Sequence, residues 1–74
     1  MAKYSVTYKG NDSSNLGYEV IEAENYQIAI DNVKYRLSQE VVVIPLKDSE
    51  GGTSYVEFIS TNHIVKTIVS FYED

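Results

Sequence analysis

Tyr4, Val6 and Tyr8 alternate with Ser5, Thr7 and Lys9, the period-two pattern of a strand with one buried face. Gly10 to Gly17 encloses Asn, Asp and Ser residues, which is turn chemistry, and Tyr18–Ala23 resumes extended structure. These segments predict an antiparallel hairpin with a long, mobile tip. A helix is expected next, from an N-cap at Asn25 to about Ser38, with Glu24 placed favourably for the helix dipole. At 100° per residue Tyr26, Ala29, Ile30, Val33 and Leu37 form one apolar stripe, the expected core face.

Two apolar helix residues fall outside that stripe. Ile28 and Tyr35 are seven positions apart and stack on the opposite side, beside Asp31, Asn32 and Gln39. A lone domain would leave them in water, so Ile28, Asp31, Asn32, Tyr35 and Gln39 are the candidate partner-binding residues. Their cover would be a target protein or a second copy of the chain.

The second half reads as three strands. Val41-Val42-Val43-Ile44 is β-branched throughout, which predicts a strand buried on both faces or the seam between sheet and helix. Pro45 cannot donate a ladder hydrogen bond and is expected to end that strand at an edge or bulge. Asp48–Gly52 reads as a flexible turn, and Tyr55–Ser60 and Ile64–Tyr72 as two further strands joined by Thr61-Asn62-His63. The expected fold is therefore α+β, a single domain over residues 1–74. It consists of a hairpin, one helix and a three-stranded antiparallel meander (ββαβββ), with the helix packed on the sheet.

Composition narrows the chemistry. There is no Cys and no Trp, one His and one Arg. A disulfide scaffold and a thiolate zinc site are thereby excluded, and a reducing, cytoplasmic setting is the expectation. No signal-like segment and no long apolar run is seen, so no membrane association is expected. His63 is the only His, the side-chain type most often used for acid–base work, and its place in a connector reads as a polar turn. Glu19 and Glu22 are three apart on a strand and point to opposite faces, so they make no catalytic pair, and the carboxylates are expected to be solvated. Asp48-Ser49-Glu50 lacks the ligand spacing of a calcium loop, and Gly51-Gly52 is no phosphate-binding fingerprint. No catalytic residue, metal or cofactor is expected.

Charge and aromatic content favour a binding surface. With 11 acidic and 6 basic residues the net charge is −5, and Lys3, Lys9, Lys34, Arg36, Lys47 and Lys66 are dispersed, which disfavours direct contact with nucleic acid. Among the 7 tyrosines, Tyr4, Tyr8 and Tyr26 are expected in the core and Tyr35 at an interface, with Tyr18, Tyr55 and Tyr72 open to either role. Residues with AT-rich codons outnumber those with GC-rich codons roughly three to one, the bias of a low-GC bacterium or its phages and plasmids. The order ββαβββ, with Tyr55–Ile64, resembles small bacterial and phage meander domains over about one hairpin, and this transfers no functional residue. The expected function is a non-enzymatic, acidic protein-binding module. It would act as a regulator or inhibitor from a phage or other mobile element, taking a protein partner with a basic surface, such as the groove of a host enzyme, or forming a homodimer. The alternative is a nucleic-acid-associated accessory domain, with an enzyme third.

Overall fold

The computed structural model describes residues 1–47 and 54–72. Strand β1 (Ala2–Lys9) and strand β2 (Asn15–Ala23) form the expected antiparallel hairpin, Tyr4 opposite Ile21 and Val6 opposite Glu19. Its tip is shorter than the glycines imply. A single 3-10 turn over Asn11–Ser13 closes it, with Gly10 N–H donating to the Ser14 carbonyl at 2.8 Å, so Asn15 and Gly17 join the ladder opposite Lys9 and Tyr8, with Leu16 bulged between them. Asp12 and Ser13 take positive φ there, a left-handed turn in which a short polar side chain is the usual occupant.

Helix α1 (Tyr26–Leu37) starts where its cap dictates. The Asn25 side chain accepts the Ile28 amide at 2.9 Å, satisfying one of the orphan donors of the first turn. Lys34 and Arg36 lie in the last turn, where positive charge suits the dipole. Strands β3 (Val41–Lys47) and β4 (Ser54–Ser60) pair antiparallel, and a 3-10 turn over Thr61–His63 leads to β5 (Lys66–Phe71). The turn expected at Asp48–Gly52 lies outside the described residues.

The order of elements is the one expected, but the meander is not formed. β5 pairs with β1, Val6 opposite Val69 and Thr7 opposite Ile68, so there are two sheets, β2-β1-β5 and β3-β4. The Thr61 amide donates to the Glu40 carbonyl at 2.9 Å and its hydroxyl donates to the Gln39 carbonyl at 2.7 Å. These bonds tie the end of β4 to the end of α1, and the chain then leaves β4 for the far side of β1.

One face of the three-stranded sheet carries the core. Tyr4, Val6 and Tyr8 from β1 and Ile21 and Ala23 from β2 form a single buried cluster with Ala29 and Val33 of α1 and with Val42, Ile44 and Ile59 of the β3-β4 hairpin. Gly17 marks a close approach of the two sheets. A Cβ there would lie 2.4 Å from Ile59 Cδ1 and 3.0 Å from Ile44 Cδ1, so any side chain at this position would displace the ends of those isoleucines. Of the expected helix stripe, Ala29 and Val33 are buried, Ile30 and Leu37 are partly covered, and Tyr26 departs from it. Tyr26 lies outside the core with 38% of its surface exposed, its ring stacked on Phe71 at 5.4 Å and its hydroxyl donating to the Val69 carbonyl at 2.8 Å. At the first helical position its side chain reaches past the core to the edge of β5.

Candidate functional site

The β3-β4 hairpin presents a surface at odds with the expectation of burial on both faces. Val42 and Ile44 turn inward, while Val41 and Val43 face solvent. The cross-strand register extends that outer face, because Val43 pairs with Phe58 and Pro45 with Val56. Residues directly opposite in an antiparallel pair share a face. Val41, Val43, Pro45, Val56 and Phe58 thus form one uncharged apolar surface, with Phe58 70% exposed and Val43 43% exposed. Its extent is on the order of a few hundred Å², the size of the largest apolar patch on a typical soluble domain, which is often a functional one. Pro45 does not end the strand. It pairs with Val56 inside β3, and in a two-stranded sheet its missing N–H costs no ladder bond when it points off the open edge.

The candidate residues on the helix are all exposed. Ile28 is at 37% and Tyr35 at 69%, and Asp31, Asn32 and Gln39 share their exposure. Asn32 and Tyr35 also line an open groove of about 530 Å³ with Arg36, Glu19, Val20, Ile21, Glu22 and Pro45, and Ile28, Asp31 and Gln39 do not. The groove runs between the C-terminal half of α1 and the outer edge of β2.

Glu19 overturns the expectation of solvated carboxylates. It shares the inward face of β2 with Ile21, and its side chain is 7% exposed. Arg36 Nη1 donates to both carboxylate oxygens, at 3.0 and 3.1 Å, and the Tyr8 hydroxyl donates to Oε2 at 2.6 Å. The carboxylate is therefore paired and hydrogen-bonded, which offsets the cost of taking it out of water. The parity of Glu19 with Ile21 and Ala23 was the available signal. The identity of its partner, 17 residues away on the helix, had none.

Burial, together with the hydrogen bond and charge of Glu19, holds the Tyr8 hydroxyl pKa well above the ordinary value near 10, against a smaller opposing effect of Arg36. The folded pKa is raised, so the folded state keeps a proton that the unfolded chain releases above pH 10. Stability from this group is complete below pH 10 and is lost as pH climbs beyond it. Urea melts between pH 8 and 11.5 should show wild type losing stability above pH 10 and Tyr8→Phe losing measurably less. Parallel losses in the two proteins would refute the assignment.

Other candidates carry less. His63 is exposed at the end of its 3-10 turn, and Tyr18, Tyr55 and Tyr72 are exposed strand or terminal residues. Among the described residues no three of His, Asp and Glu gather as a group able to hold a metal ion, and no helix is long and apolar enough to cross a membrane. Comparison with known proteins finds no matching family model, no matching curated relative and no matching solved structure.

Proposed function

We propose that this chain is a non-enzymatic protein-binding module whose main contact surface is the outer face of the β3-β4 hairpin. The observation that carries this reading is the uncharged apolar face of Val41, Val43, Pro45, Val56 and Phe58, which the chain's own core leaves uncovered. Exposed apolar surface costs solubility, and a partner that covers it recovers the hydrophobic free energy, about 25 cal/mol per Å². The helix residues Ile28, Asp31, Asn32, Tyr35 and Gln39 form a second, more polar contact with Tyr35 as its aromatic anchor.

A partner with a basic surface suits the charge. Glu40, directly before Val41, is an exposed acid at the end of this hairpin, and the chain carries −5 overall. The same charge opposes binding to free nucleic acid. A small acidic protein of this kind acts by occupying a surface on a larger one, as a regulator or inhibitor does, and its codon bias fits a phage or plasmid of a low-GC bacterium.

The test is capture from a low-GC bacterial lysate with three baits: wild type, Val43→Ser/Phe58→Ser and Ile28→Ser/Tyr35→Ser. All three should fold, since every substituted side chain is exposed. Recovery of the wild-type partner should fall roughly tenfold or more with the hairpin variant, the effect expected of losing a central aromatic anchor, and less with the helix variant. Unchanged recovery with the hairpin variant would remove that face from the account.

A further inference from the structure

The two outer edges of the three-stranded sheet are treated differently. The Tyr72 amide donates to the Lys3 carbonyl, so Lys3, and by strand alternation Ser5 and Thr7, direct their backbone groups at β5. Tyr4, Val6 and Tyr8 then face β2, where their register partners are Ile21, Glu19 and Gly17. It follows that Tyr18, Val20 and Glu22 point their N–H and C=O groups off the outer edge of β2. On β5 the same alternation sends the Val69 carbonyl outward, and the Tyr26 hydroxyl covers it at 2.8 Å. No equivalent bond reaches β2: among the described residues no strand pairs with that edge and no backbone bond between elements involves these three residues.

Directly beside this open edge lies the groove between β2 and α1. Four consecutive β2 residues, Glu19 to Glu22, form one wall and Asn32, Tyr35 and Arg36 the other, with Pro45 also lining it. Four extended residues span about 13 Å, so this wall of the groove, which encloses about 530 Å³, is as long as a four-residue strand. The charge in the groove is specific. Arg36 is engaged by Glu19, whereas Glu22, exposed on the outer face of the strand opposite Lys3, makes no ion pair among the described residues.

We propose that the open edge of β2 accepts an extended, basic segment of a partner protein as a fourth strand, giving the order partner-β2-β1-β5. This rests on the reading of the chain as a binder of basic proteins, but it uses different residues from the β3-β4 face. The added strand would exchange backbone hydrogen bonds with Tyr18, Val20 and Glu22. It would place a Lys or Arg opposite Glu22, an apolar side chain opposite Val20, and the intervening side chain into the groove against Tyr35 and Pro45. Charge disfavours a second copy as occupant, because edge-to-edge self-pairing joins two chains that each carry −5.

The probes are capped synthetic hexapeptides that carry a Lys or Arg and, two positions along, a Val or Ile, with Thr or Val between them, alongside versions N-methylated at alternate residues. In the free protein the amides of Tyr18, Val20 and Glu22 should exchange rapidly with solvent. With 1 mM peptide they should slow roughly tenfold or more, and the N-methylated peptides should have no effect. Val20→Pro should fold, since that amide leaves the β1 ladder untouched, yet bind roughly tenfold or more weakly, and Glu22→Lys should also weaken binding. The inference is overturned if no peptide slows these amides, if the N-methylated peptides act equally well, or if the free protein already protects them in a dimer that dissociates on dilution. Failure of this kind, with partner capture still dependent on Val43 and Phe58, would reject the strand-acceptor edge and leave the hairpin face standing.

Discussion

Val33→Asp should unfold the domain at 25 °C. Val33 is 3% exposed and belongs to the buried cluster that joins α1 to β1, β2 and the β3-β4 hairpin. An aspartate there would be a carboxylate in an apolar site whose neighbouring cation, Arg36 one turn on, is already engaged by Glu19, and it also removes the valine's own burial. The combined cost is about 4–5 kcal/mol or more. A domain of this length has a total stability of about 4–11 kcal/mol, and so small a single core without disulfide or metal lies at the low end, so the folded population is largely lost. The neighbouring Lys34→Asp, on an exposed position, should shift stability by no more than about 0.5 kcal/mol. Far-UV circular dichroism and urea melts of the two variants check this. Equal midpoints for Val33→Asp and wild type would show that this helix face is not the core face.

The second large effect is expected at the buried ion pair. Removing Arg36 leaves the Glu19 carboxylate, 7% exposed, with Tyr8 as its remaining hydrogen-bond donor. Breaking a fully buried pair costs about 3–5 kcal/mol. Arg36 is itself 35% exposed, and solvent screening reduces the expected cost of Arg36→Ala to about 2–3 kcal/mol. Glu19→Gln in the same background removes the uncompensated charge while keeping an acceptor for Tyr8. The double variant should therefore recover part of the loss, and the two substitutions should be non-additive by about 1 kcal/mol or more. Additive losses in a double-mutant cycle would mean that the pair is not energetically coupled.

Much of the local structure was legible because short-range signals set it. The alternation of Tyr4, Val6 and Tyr8 gave the face of β1 that is buried, and Asn25 gave the start of α1 to the residue. Pairing over long distances was not legible. Successive strands are usually neighbours, which favoured β5 beside β4, whereas the actual partner of Val69 is Val6, 63 residues away. The β-branched run Val41–Ile44 concealed its own alternation, since inward and outward positions carry the same residue types, and only the register with Phe58 and Ile59 separates them. The main candidate face was missed for that reason. The helix stripe around Tyr35 was legible because a helix with one core face leaves an opposite side that its periodicity reveals.

The central claim is that the outer face of the β3-β4 hairpin is where a partner protein sits. Its most direct measurement is methyl NMR of protein labelled at valine, recorded free and bound to the captured partner. The account predicts that the Val41, Val43 and Val56 methyls shift and gain intermolecular contacts on binding while the core methyls of Val6 and Val42 keep their intramolecular ones. A bound spectrum in which Val41, Val43 and Val56 are unchanged and remain open to solvent would contradict it.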